Sequence, residues 1–407
     1  MRRVVVTGMA GITALGDTWA EIETHLRAGR TGIRYMADWE RFADLNTRLG
    51  APVEHFTLPA HYPRRMVRSM GRVALMSVRA TEMALTDAGL IDDPTIRDGK
   101  MGIAYGSSAG SMEPLRAFGR MLETGSMSGV TSTSYIQMMS HTSAVNIGLF
   151  FGLKGRVIPT SSACTSGSQA IGYAFEAIRF GRQDLMVAGG AEELSALDAA
   201  VFDTLFATST QNDTPALTPR PFDAARDGLV VGEGAATLIL EEREHALARG
   251  ATIYAEIVGF ACNSDGAHIT QPEAATMATA MRLALNDAGL PATAIGYVNA
   301  HGTATDRGDL AETQATAEVL GRVPIASLKG HFGHTLGACG AIEAWLSIEM
   351  LRHNWFAPTA NLENIDPNCG KLDYLMGAGR EMRVDYLMSN NFAFGGINTS
   401  LIFRKNP

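Results

Sequence analysis

Residues 157–167 read VIPTSSACTSG, and residues 168–181, SQAIGYAFEAIRFG, follow directly. An apolar, β-branched run of this kind predicts a buried strand. Behind it Ile171, Phe175 and Ile178 recur at helical spacing. The join places Cys164 near a helix N-terminus, where unpaired backbone N–H groups and the macrodipole favour a thiolate. Its small neighbours leave room for a substrate to reach the sulfur, so the stretch predicts a nucleophile. A free cysteine also serves as a small buried hydrophobe, and the rest of the chain decides between the two.

Working outward, the chain alternates strands and helices. Strands are expected at 3–7, 101–105, 185–188 and 235–240, with helices at 73–88 and 168–180 between them. A second series begins at Ala251, with strands at 253–260, 295–299, 325–327 and 399–403 and helices at 277–288, 309–320 and 340–351. Two successive α/β series predict two related halves, each with a covered sheet. The boundary is expected near Gly250, after the charged segment EEREHALARG, giving halves 1–250 and 251–407. No low-complexity linker intervenes, so the halves should pack as one body.

Composition sets further limits. With 407 residues, 46% of them hydrophobic, the chain can bury a large core. A net charge of -8 argues against nucleic-acid binding as the main task. Cys164, Cys262, Cys339 and Cys369 lie far apart without metal-ligand spacing, which argues against a disulfide framework. The opening MRRVVVTGMAG lacks a signal peptide's core, and no apolar run approaches membrane-spanning length. A cytoplasmic protein without a membrane or nucleic-acid partner is the expectation.

Three motifs compete with Cys164. The glycines of VVVTGMAGITALG stand at 8, 11 and 16, which is not the G-x-G-x-x-G of a dinucleotide site. Residues 106–110, GSSAG, fit a nucleophile elbow and nominate Ser108 as a hydrolase nucleophile with His301 as base. Small residues after a strand also arise where backbones pack closely, and that reading is preferred. His331 and His334 have the spacing of a metal pair, but no carboxylate or cysteine cluster completes it.

The second half supplies what a thiol needs. One strand ends in His301-Gly302-Thr303-Ala304-Thr305-Asp306, the strand-end position typical of catalytic groups in α/β folds. Another leads to Lys329-Gly330-His331-Phe332-Gly333-His334, ahead of a helix carrying Glu343. A third segment, residues 390–398, NNFAFGGIN, reads as a glycine-rich loop with aromatics. Two histidines, a lysine and a thiol, each in a glycine-rich loop, are hard to explain as packing.

With these motifs the chain resembles, over essentially its whole length, an elongating β-ketoacyl-acyl carrier protein synthase of the thiolase superfamily. TSSACTSGS resembles the family's nucleophile motif, AHGTATDRGD its first histidine motif, and SLKGHFGHTLGACGAIEA its lysine–histidine motif. RDGLVVGEGA and NNFAFGGIN match two further signatures. The resemblance implies a thiolase-like five-layer αβαβα fold made of two similar halves. It implies a Cys164, His301, His334 triad with Lys329 in support and Glu343 ordering that region. Backbone N–H groups of Cys164 and Phe394 would form the oxyanion hole, and Thr303 and Thr305 would contact a pantetheine arm. Ala109, at the acyl gate, joins Phe202 and Phe392 in the implied substrate-binding set.

The implied reaction is a decarboxylative Claisen condensation of malonyl-carrier protein with an acyl group on Cys164, needing neither metal nor cofactor. The implied partners are an acyl carrier protein and a second thiolase-like chain, identical or resembling a chain-length factor. Arg64, Arg65 and Arg68, in HYPRRMVRSMGR, form the expected carrier-docking patch, together with Arg72. Leu229 and His331 depart from the family pattern. The segments YMADWERFADLNTRLGAPV and SNNFAFGGIN resemble ketosynthases of aryl polyene pathways. Two rivals were weighed: a non-catalytic chain-length-factor-like subunit, which the intact Cys164 argues against, and the Ser108 hydrolase.

Overall fold

The computed structural model describes residues 1–406. Its main sheet is built from β1 (Val4–Ile12), β2 (Met101–Gly106), β3 (Val157–Thr160), β4 (Leu185–Glu192), β5 (Gly234–Glu242) and β6 (Ala255–Ser264). It continues with β7 (Ile295–Asn299), β8 (Pro324–Ala326), β9 (Asp373–Tyr374), β10 (Tyr386–Ala393) and β11 (Ile397–Lys405). The helices that cover it are α1 (Arg72–Asp87), α2 (Thr142–Phe151), α3 (Ser166–Arg179), α4 (Ala274–Ala288), α5 (Asp306–Leu320) and α6 (Cys339–His353).

The spatial order is β9-β8-β7-β10-β11-β6-β1-β5-β4-β2-β3. A repeat is visible in it. The first half runs β3-β2-β4-β5-β1 and the second β8-β7-β10-β11-β6, the same path walked twice, with β9 added at one edge. Within each half the strands at the outer side are parallel and the last two are antiparallel. The halves join where Val4–Val6 of β1 pair antiparallel with Ala255–Ile257 of β6.

Five layers follow. Helices α3 and α6 pack on each other and on strands from both halves, making the central layer. Its core includes Phe175, Ile178, Trp345 and Leu346. Helices α1 and α2 cover the outer face of the first half, and α4 and α5 that of the second. Each layer buries apolar side chains against the next, which is the main stabilising contribution in a chain of this size.

Every strand and helix expected from the sequence is present, most of them longer by a few residues at one or both ends. Two expectations change. The strand β3 is not buried: it is the sheet's outer edge, Val157 is 46% exposed, and Pro159, which has no N–H, sits where no neighbour needs one. The segment 390–398 is mostly a hairpin of β10 and β11, and only Phe394, Gly395 and Gly396 form its turn. Gly395 and Gly396 made it look like a loop, yet Asn390, Asn391 and Phe392 before them are buried strand residues. Among the described residues no helix is long and apolar enough to cross a membrane.

Candidate active site

Cys164 sits in a single 3-10 turn, Ala163–Thr165, between β3 and α3. Ala163 has φ 49°, a left-handed conformation costly for a residue with a Cβ, which marks a strained elbow. The surrounding hydroxyls hold it. Ser166 Oγ accepts from the Ser162 N–H at 2.9 Å and donates to the Ala163 carbonyl at 2.7 Å. Thr165 donates to the Ser162 carbonyl at 2.7 Å and Thr160 to the Ser166 carbonyl at 2.8 Å. Beneath the elbow backbones touch. A Cβ on Gly106 would lie 2.5 Å from the Ser166 carbonyl carbon, so only glycine lets β2 approach α3 this closely.

The second half brings two imidazoles to the thiol. His334 Nε2 lies 3.0 Å from Cys164 Sγ. The Leu336 N–H donates to His334 Nδ1 at 3.3 Å, which leaves the ring's own hydrogen on Nε2. His301 stands edge-on to His334, ring centres 5.2 Å apart. The Lys329 ammonium is 3.2 Å from His301 Nδ1 and Asn391 Nδ2 is 3.4 Å from it; both groups are donors, so His301 too carries its hydrogen on Nε2. Lys329 is paired with Glu343, whose other oxygen accepts from Asn391 Nδ2 at 2.7 Å.

Burial decides the charges. His301 is held well below its usual range by burial, then by the Lys329 charge and by His334. His334 is lowered by burial and by Lys329. Both rings are therefore neutral donors at neutral pH. Burial pulls hardest on the Lys329 ammonium, but Glu343, Cys339 and Glu312 together offset it and keep the lysine charged. The thiol differs from the sequence expectation. Cys164 is only 5% exposed, and burial pushes its pKa up to about 11 against the pull of Lys329 and the N–H groups of Phe394 and Cys164 itself. A single 3-10 turn at a buried thiol does not make a resting thiolate.

A cavity of about 390 Å³ connects this cluster to solvent. Thr303 and Thr305, their hydroxyls 2.9 Å apart, line it with Phe202, Phe392 and Phe394. Exposed Phe206, Ile269 and Arg307 form its mouth. Leu229 lies in the same wall and packs in one cluster with Trp39, Leu45, Phe202 and Leu336. Ala109 is half-buried but not part of this cavity, and neither are residues 135–146. Ser108 also lies outside the cavity, its backbone N–H tied to Glu192.

His331 points elsewhere, its nitrogens 3.0 and 3.1 Å from the Arg30 and Pro358 carbonyls, so it makes no metal pair with His334. The donor atoms of Cys164, His301 and His334 do lie within 4.8 Å of one another, but the Lys329 cation beside His301 opposes a second positive charge. Arg64, Arg65 and Arg68 are exposed, and among the described residues none has an ion-pair partner. Arg72 leaves that patch, bound to Glu233 at 2.7 Å.

Sequence reasoning assigned no role to Asn391, Glu312 or Asp309. Glu312 accepts the backbone N–H groups of His301 and Gly302, both at 2.7 Å. Asp309 accepts those of Phe222 at 2.7 Å and Ala304 at 3.1 Å. The available signal was acidic residues on one face of the helix that follows the His301 turn.

Fold and site together define a thiolase-like α/β enzyme with a buried thiol facing two neutral imidazoles. Comparison with known proteins agrees. The sequence matches the domain described as "Beta-ketoacyl synthase, N-terminal domain" over residues 1–246 and "Beta-ketoacyl synthase, C-terminal domain" over residues 254–363. It is 37% identical to a 3-oxoacyl-[acyl-carrier-protein] synthase 2 of Vibrio cholerae, over 99% of both chains. A crystal structure of a β-ketoacyl synthase from Burkholderia phymatum matches with TM-score 0.99 and 67% identity over the whole of both chains. A type II polyketide ketosynthase solved with its acyl-carrier protein matches with TM-score 0.88 and 30% identity, again over the whole of both chains. The chain belongs to the β-ketoacyl synthase family and is a condensing acyltransferase.

Proposed function

We propose that this enzyme elongates an acyl chain by decarboxylative condensation of malonyl-carrier protein with an acyl group held on Cys164. The observation that carries this reading is one thiol 3.0 Å from an imidazole, with both imidazoles held as Nε2 donors by groups behind them.

In the first step Cys164 Sγ bonds to the carbonyl carbon of an acyl-carrier thioester. The oxyanion is held by the N–H groups of Cys164 and Phe394, the same two groups that favour negative charge at the sulfur. The carrier sulfur leaves with the thiol proton, and the acyl group stays on the enzyme. Malonyl-carrier then binds, with Thr303 and Thr305 toward its pantetheine arm. His301 and His334 donate Nε2–H to its thioester oxygen. The bond to the carboxylate breaks, CO2 departs, and the electron pair forms an enolate that those two donors stabilise. The enolate carbon attacks the acyl-Cys164 carbonyl, the new carbon–carbon bond displaces the sulfur, and the thiolate regains a proton. Removing one such donor costs on the order of 2.7–4 kcal/mol in transition-state stabilisation.

Two finer readings rest on this one. The unpaired edge β3, with Val157, Leu149 and Tyr135 exposed nearby, favours a second thiolase-like chain as partner, identical or of chain-length-factor type. The pathway is inferred to be aryl polyene formation. Its support is the resemblance of residues 35–53, whose Trp39 and Leu45 back the cavity wall at Phe202 and Leu229.

The test uses purified carrier protein. Cys164→Gln should decarboxylate malonyl-carrier yet accept no acyl group, and Cys164→Ala should form no condensation product. Condensation surviving either substitution would sink the proposal.

A further inference from the structure

Glu192 is the last residue of β4 and only 1% exposed. Among the described residues it has no cationic partner within ion-pair distance. An unpaired buried carboxylate is expensive unless donors surround it. Three do. Ser107 Oγ donates to one oxygen at 3.0 Å; the N–H groups of Ser108 and Gly337 share the other at 2.7 and 3.0 Å.

Those donors come from two loops, the one carrying Ala109 and the one following His334. Ser107 Oγ also accepts the Gly110 N–H at 3.0 Å, closing a turn around Ala109. Gly337 follows Leu336, whose N–H fixes the tautomer of His334 and whose φ is 47°. A Cβ on Gly337 would lie 2.6 Å from both the Glu192 carboxylate and the Ser108 nitrogen, so the two loops meet on this one oxygen without intervening side chains.

We infer that Glu192 is a positioning residue that couples the Ala109 loop to the His334 turn, so that rearrangement of the loop is felt at the imidazole that meets the substrate. This rests on the condensing reaction proposed above, with the Ala109 loop taken as the acyl side as the family resemblance implies, and adds to it a route by which that loop regulates decarboxylation. Glu192 also bears on the nucleophile, because its charge opposes ionisation of Cys164, whereas Lys329 favours it. Asp198 is the other acidic group acting on Glu192, and burial pushes Glu192 itself up to about 7. Above that pH its charge is present.

Three variants test the coupling. Glu192→Gln keeps both backbone N–H bonds on its oxygen and reverses the third: its amide donates to Ser107 Oγ, whose own hydrogen loses this acceptor. The charge is lost while the tether remains, so iodoacetamide labelling of Cys164 should move to lower pH while product lengths change less than in Ser107→Ala. Ser107→Ala removes one of the loop's two anchors on Glu192, the Ser108 N–H remaining, and leaves the His334 turn untouched. It should nonetheless lower malonyl-carrier decarboxylation without any acyl group bound, by about fivefold, and broaden product length. Glu192→Ala should do both more strongly; if it does not fold, the other two variants still decide. An unshifted labelling profile in Glu192→Gln, or normal decarboxylation in folded Ser107→Ala, overturns the inference. Failure of the function itself shows separately, as a wild-type enzyme that makes no condensation product.

Discussion

The two halves of the molecule walk the same strand path yet hold their functional groups by opposite means. In the first, the turn after β3 presents Cys164, and it is fixed sterically by a strained Ala163, backbone-to-backbone contact at Gly106 and hydroxyls spent on the turn itself. In the second, the turn after β8, the counterpart of β3, presents Lys329 and His334, while the turn after β7 presents His301. These are fixed by buried ionisable groups: Lys329 paired with Glu343, and the carboxyl groups of Glu312 under the His301 turn and Asp309 beneath Ala304, which accept backbone N–H groups. Duplication supplied the frame, and the frame tolerates either solution. A thiol that must form and release covalent bonds needs an exact position and little field. Two imidazoles that must stay neutral donors need a field behind them.

The comparison breaks most visibly at Lys329. Lys329→Ala strands Glu343 without its counter-ion and leaves His301 Nδ1 with only the longer contact to Asn391, so condensation should fall by about 10²–10³. Removing one partner of a buried pair also costs about 3–5 kcal/mol of stability, readable as a lower denaturant midpoint. Lys329→Arg, which keeps the charge, should recover stability better than activity.

The steric half has its own test. Gly106→Ala drives a methyl into Ser166, with a cost on the order of 1–3 kcal/mol. Acyl transfer to Cys164 should drop by about tenfold, with malonyl decarboxylation much less affected. Equal losses in both steps would show that the halves are not positioned independently.

The pH dependence of Cys164 labelling sharpens the contrast. With a thiol pushed up to about 11, the thiolate fraction rises about tenfold per pH unit below that value. Iodoacetamide labelling should therefore climb from pH 7 through pH 10 without a plateau. A plateau near pH 7 would mean that the field of the second half reaches the thiol more strongly than burial opposes it. The smallest effect expected is at the surface: reversing Arg65 and Arg68 to Glu should raise KM for acyl-carrier by about threefold to tenfold, leave kcat unchanged and flatten its salt dependence. An unchanged KM at low ionic strength would move carrier docking away from this patch.

Much of this was legible in the sequence, for identifiable reasons. The apolar runs of β1, β2, β4 and β7 and the 3.6-residue spacing in α3 and α6 report burial, and burial is local information. The site motifs were legible because glycine and hydroxyl clusters interrupt those runs. What escaped was set by partners far away in the chain. β10 hides behind Ser389, Asn390 and Asn391, whose polar groups face Glu343, His301 and neighbouring strands. The edge position of β3 depends on strand order, which no local pattern encodes. The thiol's raised pKa depends on how deeply layers from both halves close over it.

The junction at β1 carries a consequence for motion. In many two-lobed enzymes the seam between lobes is a hinge. Here β1 is hydrogen-bonded to β5 on one side and to β6 on the other, and all nine of its residues are buried. The seam is thus among the stiffest places in the chain, and its amides should be among the last to exchange with solvent. Lobe closure is not available as a way to admit a substrate or expel a product. Traffic through the cavity has to be managed at its rim, by side chains such as Phe206, Ile269 and Arg307, on timescales of loops and rotamers rather than of domains.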